Sequence, residues 1–163
     1  MKNTMAGWIA IGLLVASTGS LLAHHSLARY DTTAAVRVKG VVVRFDEVNP
    51  HTILFLDEKR ADGRIHRWAV EGPAVMQLRR LHGDLFRQDL ATQPFKVGDI
   101  VEACGYATKD GEKTQRSVSS GSTTISGQLM DGEQIVLPNG DKRTWSNYGV
   151  HKCLVGGPGN PPA

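Results

Sequence analysis

The sequence predicts a mostly β domain, a small OB-like Greek-key barrel with one helix after the third strand and an extra C-terminal hairpin. Three strand patterns separated by breaks come first, one helical pattern follows them, and further strand patterns fill the second half. That is the element order of the oligonucleotide/oligosaccharide-binding barrel, which has five strands in Greek-key topology. A β-sandwich is the alternative, and the helix after the third strand favours the barrel.

The first two strands are predicted from β-branched and alternating apolar residues. Residues 36–48 are rich in valine, and Asn49-Pro50 ends this strand because proline removes a ladder donor. Residues 51–57 form the second strand, in which Ile53 and Phe55 alternate with Leu54 and Leu56.

The third strand is predicted over residues 64–71, after a hairpin turn at Asp62-Gly63. Successive side chains of a strand point to opposite faces. One face therefore carries Ile65, Arg67, Ala69 and Glu71, and the other carries His66, Trp68 and Val70.

A helix is predicted over residues 73–82, because Pro73 suits a first helical turn and Gly83 a helix end. Its apolar stripe consists of Val75, Leu78 and Leu81, together with Met76. No structure is assigned to residues 84–96.

The second half of the domain is predicted to be β. A fourth strand covers residues 100–108, and the polar segment 113–126 is either a strand or a loop. Turn signals at Asp131-Gly132 and Asn139-Gly140 bracket one arm of a hairpin, whose second arm is residues 142–145. The Gly- and Pro-rich residues 156–163 are predicted to be a disordered tail.

The amino terminus has the pattern of a cleaved export signal. Lys2 precedes an apolar segment that ends in small residues at Ala23. We expect cleavage after Ala23, a single domain over residues 24–155, a periplasmic or secreted location, and no stable membrane span. Retention of the leader as a membrane anchor is the alternative.

Charge and motifs argue against several classes of protein. Without the leader the chain has 18 Lys and Arg against 16 Asp and Glu, and these charges are scattered, so nucleic acid is not an expected partner. The sequence has no nucleophile elbow, glycine-rich phosphate loop or paired-carboxylate motif, so it gives no support for an enzyme.

Cys104 and Cys153 are predicted to form a disulfide. Two cysteines in an exported chain suggest one bond, and their separation of 49 residues excludes a C-x-x-C motif.

The histidines provide a possible metal site. Cleavage after Ala23 leaves His24 with a free α-amino group beside its imidazole, and these two nitrogens can chelate copper. A third nitrogen would come from His25, His51 or His66. His51 is favoured because it follows a turn at a strand end. The alternative is a solvated amino terminus with His51 capping the turn.

A ligand groove is the other candidate site. In this kind of barrel the second and third strands face the usual groove, and an exposed Trp68 there would stack on a sugar or base. Glu71 and His66 lie on the same strand. The alternatives are that Trp68 belongs to the core and that Glu71 stabilises the start of the helix.

Several short motifs are spread along the chain. They are His24-His25-Ser26, Asn49-Pro50-His51, Asp62-Gly63, Val97-Gly98-Asp99, Cys104-Gly105 and Trp145-Ser146-Asn147-Tyr148-Gly149. In combination they resemble one family of small exported bacterial proteins of unknown function, whose mature chains start with His-His-Ser. The resemblance covers most of residues 24–153 and implies a periplasmic protein with this barrel. It does not indicate an activity.

The resulting hypothesis is a periplasmic binding module that holds copper or a similar metal through its mature amino terminus. The first alternative is a metal-free adaptor that binds a protein or glycan in the barrel groove. The second is an oxidoreductase that uses the same copper. Expected partners are a metal, a small ligand or a periplasmic protein.

Overall fold

The computed structural model describes residues 27–83, 95–117, 124–146 and 153, and within these ranges it has seven strands and one α-helix. The predicted leader (1–23), His24, His25, residues 84–94, residues 118–123 and the predicted tail (156–163) lie outside the described residues. The elements are β1 (Val36–Asp46), β2 (Ile53–Lys59), β3 (Ile65–Glu71), α1 (Val75–Leu81), β4 (Ile100–Ala107), β5 (Lys113–Ser117), β6 (Thr124–Val136) and β7 (Lys142–Thr144).

Five of the strands close into a barrel. β1 pairs antiparallel with β2 and β4, β2 pairs with β3, and β4 pairs with β6. A parallel pairing of β3 with β6 closes the ring, and α1 connects β3 to β4. This is the topology that the sequence predicts. β5 and β7 pair with the two ends of β6, and β6 with β7 forms the predicted C-terminal hairpin.

The barrel strands bury side chains on both faces. The interior core includes Leu54, Leu56, Trp68, Val70, Leu78, Met130 and Trp145. A second cluster lies on the outer face and contains Tyr30, Ile53, Phe55, Ala69, Tyr106 and Leu129. The predicted alternation of β2 is therefore confirmed, and its outer face is buried because the chain before β1 packs against it.

The turn predicted at Asp131-Gly132 is wrong, because both residues lie within β6. A Cβ on Gly132 would meet Val70 Cγ1 at 2.6 Å and Trp145 Cδ1 at 2.7 Å. Glycine is required here by close packing. The turn at Asn139-Gly140 is confirmed, and Gly140 has a φ of 90°.

The apolar stripe predicted for the helix is only partly correct. In α1 Leu78 is fully buried, whereas Met76 is 70% exposed and Leu81 is 49% exposed. The helix has only seven residues. A helix of this length presents few positions to the barrel interior, and Leu78 is the one that enters the core.

The predicted disulfide between Cys104 and Cys153 is confirmed, with a Cα–Cα distance of 5.7 Å. Cys104 lies in β4, and Arg37 of β1 donates from Nη2 to the carbonyl oxygen of Cys153 at 2.9 Å. The bond is compatible with an oxidising compartment. No helix in the described ranges is both long enough and apolar enough to cross a membrane.

Candidate functional site

A short segment before β1, residues 27–31, lies across the end of β4, and we call it the N-terminal strap. It begins with the 3-10 turn Leu27–Arg29 and continues into Tyr30, which forms a β-bridge with Thr108. The amide of Asp31 donates to the carbonyl oxygen of Ala107 at 2.9 Å, and the amide of Lys109 donates to the carbonyl oxygen of Arg29 at 3.0 Å. Backbone hydrogen bonds therefore fix the strap to the barrel.

Tyr30 connects the strap to the barrel through its side chain. Its ring is 6% exposed and packs in the outer cluster. Its hydroxyl donates to Glu71 Oε2 at 2.5 Å. Burial and the Glu71 carboxylate raise the pKa of Tyr30 well above its usual range. Tyr30 therefore stays a neutral donor at any physiological pH.

His51 lies on the other side of the same carboxylate. Its Nδ1 is 3.5 Å from Glu71 Oε1 and 3.3 Å from the carbonyl oxygen of Gly72. The antiparallel pairing of Ile53 with Glu71 produces this contact, since it places the start of β2 beside the end of β3. The two oxygens of Glu71 thus connect the strap with His51.

Further acidic side chains extend this site along β6, and we call Glu71, Asp131 and Glu133 the carboxylate cluster. Asp131 is the register partner of Glu71 on β3 and of Tyr106 on β4. Burial, followed by the charges of Glu71 and Glu133, raises the pKa of Asp131 to about 7. Burial and the charges of Glu133 and Asp131 raise the pKa of Tyr106, whose side chain forms a hydrogen bond with Glu133.

Trp68, Glu71 and His66, the residues predicted to line a groove, do not lie on one face of β3. Trp68 is 5% exposed in the barrel interior, and its Nε1 donates to Glu58 Oε2 at 2.9 Å. It belongs to the core, in agreement with the second interpretation of its sequence position. Glu71 points to the outer face instead, because residues 68 and 71 lie an odd number of positions apart on β3.

His66 lies on the same face of β3 as Trp68. The two ring centroids are 4.7 Å apart in an edge-to-face arrangement. Burial, followed by the charge of Arg60, lowers the pKa of His66. His66 is therefore on the opposite face of β3 from the carboxylate cluster.

Of the predicted metal ligands, His51 is the one that falls in the described part of the chain. His24 and His25 lie outside it. Within residues 27–83, 95–117, 124–146 and 153, no three His, Cys, Asp or Glu side chains converge closely enough to hold a metal ion. What the described residues bring together is an imidazole, a carboxylate cluster and the strap that follows His24 and His25 in the chain.

The family described as "Family of unknown function (DUF6152)" matches residues 12–117. This chain belongs to that family. The matched range includes the strap, His51 and Glu71 and ends with β5. Asp131 and Cys153 lie beyond the matched range.

A crystal structure of the mitochondrial single-stranded DNA-binding protein Rim1 of S. cerevisiae is similar, with a TM-score of 0.39 and 11% sequence identity. The similarity covers 64% of this chain and 93% of that chain. The search of curated proteins gives no match.

Sequence reasoning missed Tyr30, Tyr106, Asp131 and Glu133 as members of the site. Tyr30 lies in a segment that reads as a linker, and Asp131 reads as part of a turn. Neither has a local signal, since each reaches the site through pairing with distant strands. The one feature of the sequence that pointed to this site was Glu71, because alternation along β3 places its carboxylate on the same face as the apolar Ala69, which the structure shows to be buried.

Proposed function

We propose that this family member is an exported binding module that holds one copper(II) ion, or a similar metal, at its mature amino terminus. The observation that carries the proposal is the position of His51. Its Nδ1 faces Glu71 Oε1 at 3.5 Å, and the other oxygen of Glu71 binds Tyr30 of the N-terminal strap.

The surroundings of His51 suit a metal-binding imidazole. Histidine ligands commonly direct their second ring nitrogen to a carboxylate or a backbone carbonyl, which orients the ring and makes it a better ligand. Nδ1 of His51 lies near both kinds of acceptor, Glu71 and the carbonyl of Gly72. In the proposed site Nε2 is the coordinating atom, and Glu71 is a positioning residue.

His24 supplies the remaining nitrogens in this proposal. Cleavage after Ala23 gives it a free α-amino group, and with its imidazole it forms a chelate. Adding His51 completes a three-nitrogen set, which Cu(II) accepts readily. Tyr30 follows His24 by six residues, and six extended residues span about 20 Å, so the chain is long enough to bring His24 to His51.

Charge and compartment are consistent with a cation site. Glu71 provides negative charge beside His51 and the strap, and a nearby cation is favoured by that charge. The disulfide suits the periplasmic or secreted location that the leader predicts. His25 adjoins His24 and is a reserve ligand.

The experiment is a copper(II) titration of the processed protein, followed by electron paramagnetic resonance. The protein is exported by a bacterial host, and its intact mass is used to verify cleavage between Ala23 and His24. The variants are His24→Ala, His51→Ala and Glu71→Gln, with His66→Asn as the matched control on the opposite face of β3. A further sample carries one extra residue before His24, which blocks the α-amino group of His24.

We expect one copper per chain with a nitrogen-rich spectrum in the wild-type protein and in His66→Asn. His24→Ala, His51→Ala and the extended protein should lose the site. Glu71→Gln should bind copper about 10- to 100-fold more weakly, because it removes the negative charge that faces His51 Nδ1. If His24→Ala and His51→Ala both bind as the wild type does, the site does not exist. The metal-free adaptor then becomes the preferred hypothesis.

A further inference from the structure

The N-terminal strap contacts the carboxylate cluster through Tyr30. Tyr30 is bound to Glu71, and Asp131 lies directly opposite Glu71 on the next strand. Within the residues that the structure describes, the Asp131 carboxylate receives no hydrogen bond, whereas Glu71 receives one from Tyr30. A bound proton or contact with water must therefore stabilise the Asp131 carboxyl group, because no described side chain donates to it.

The charged and titratable groups around Asp131 come from every neighbouring element. Most are acidic or phenolic, and the one fixed cation of this set, Arg29, lies over the Tyr30 ring at 5.5 Å and pairs with Glu112. Tyr30 of the strap, Glu71 of β3, Tyr106 of β4 and Glu133 of β6 interact with Asp131, whereas Arg29 contacts Tyr30 and His51 contacts Glu71.

We propose that the N-terminal strap is a pH-sensitive latch, docked on the barrel while Asp131 is protonated and loosened when Asp131 ionises. The latch belongs to the metal-free protein and goes beyond the copper site proposed above. It concerns how firmly residues 27–31 hold to the end of β4.

The physical reason is the difference in hydration between the two states of the strap. With the strap docked, Asp131 is partly buried and faces the charge of Glu71, which disfavours its ionised form. Lifting Tyr30 admits water to both carboxylates and lowers this penalty. Ionisation and opening therefore favour each other by linkage.

The pH range follows from the same linkage. The pKa of Asp131 is about 7 in the docked protein and is lower once water reaches the group. The equilibrium for opening therefore rises with pH below about pH 7, by at most about tenfold per pH unit, and levels off above it.

Amide hydrogen exchange measured by NMR tests the latch in metal-free protein, with a chelator present, between about pH 5 and pH 8. The reporters are the amides of Asp31 and Lys109, which hold the strap to β4. The reference is the amide of Arg60, which donates to Arg64 in the hairpin at the far end of β2 and β3. Rates are corrected for the intrinsic pH dependence of exchange.

Three variants distinguish the effect of Asp131 on strap opening from the effects of other titratable groups. Asp131→Asn removes the charge, and Asp62→Asn removes an exposed carboxylate in the β2–β3 turn as the matched control. His51→Asn tests the other titratable group in contact with Glu71.

We expect opening at Asp31 and Lys109 to rise at least tenfold from about pH 5 to pH 8 in the wild type, Asp62→Asn and His51→Asn, and to stay constant in Asp131→Asn. The reference amide of Arg60 should show no such change in any of these proteins. The proposal is overturned if opening in the wild type does not change with pH, if Asp131→Asn keeps the change, or if His51→Asn loses it. Because no metal is present, none of these results depends on the copper site.

Discussion

Glu71 and Asp131 are register partners on the parallel strands β3 and β6, so two carboxylates face each other across the strand pair that closes the barrel. Like charges directly opposite each other in a sheet are destabilising. Tyr30 and His51 contact the Glu71 side of this pair, and Tyr106 is the partner of Asp131 on β4. The closure of the barrel thus places two acidic side chains next to Tyr30 of the strap.

Asp131→Asn should stabilise the protein at neutral and alkaline pH. The pKa of Asp131 is raised from 3.8 to about 7, so the folded protein holds this proton more tightly than the unfolded chain does. That contribution to stability is complete below about pH 4 and is lost as the pH rises to about 7. Asparagine keeps the neutral form at every pH, so its advantage should reach about 2–4 kcal/mol at pH 8 and be small at pH 4.

Urea unfolding of the wild-type protein and Asp131→Asn at about pH 4, 6 and 8 measures this difference. Asp62→Asn is the control, because it removes a carboxylate whose pKa is lowered by hydrogen bonds from Arg64. An advantage of Asp131→Asn that is equal at all three pH values would contradict the prediction.

Glu71→Gln should lower the pKa of Asp131 without returning it to its usual value. Burial is the largest cause of the raised pKa, and the charge of Glu71 comes second. Removing that charge leaves the burial in place, so we expect a downward shift of about one pH unit. Carboxyl-carbon NMR titration of Asp131 gives the measurement. An unchanged pKa would mean that the two carboxylates do not interact.

Removing the disulfide should destabilise the protein by roughly 4 kcal/mol in the chain-entropy model, since the bond spans 49 residues. The double variant Cys104→Ala, Cys153→Ala avoids a leftover thiol. Urea unfolding of this variant, compared with the oxidised and the reduced wild-type protein, measures the effect. The reduced wild type should resemble the double variant, and equal midpoints for all three would count against the prediction.

Gly132→Ala should destabilise the barrel by about 2 kcal/mol or more through overpacking. Its Cβ would lie 2.6 Å from Val70 Cγ1, 2.7 Å from Trp145 Cδ1 and 2.9 Å from the carbonyl oxygen of Glu71. Thr124→Ala, at an exposed position of the same strand, is the control and should change stability little. Thermal unfolding compares the two variants. If Gly132→Ala melts with the wild type, this packing is less tight than the distances imply.

The sequence was sufficient for features that depend on neighbouring residues. Alternation along β3 places Trp68 and Glu71 on opposite faces, and the structure has them there. The Asn139-Gly140 turn is also local, because it depends on a backbone conformation that glycine adopts easily. Likewise the pairing of Cys104 with Cys153 needed only a count of cysteines and an expected compartment.

Only the tertiary structure decided which side chains form the candidate site. Asp131-Gly132 has the composition of a turn, yet packing against Val70 and Trp145 keeps it in β6. Tyr30 and Glu71 are 41 residues apart and meet because the strap crosses the end of β4. Strand register and barrel closure set such contacts, and both depend on the free energy of the whole packed chain, whereas a local pattern records only the preferences of adjacent residues.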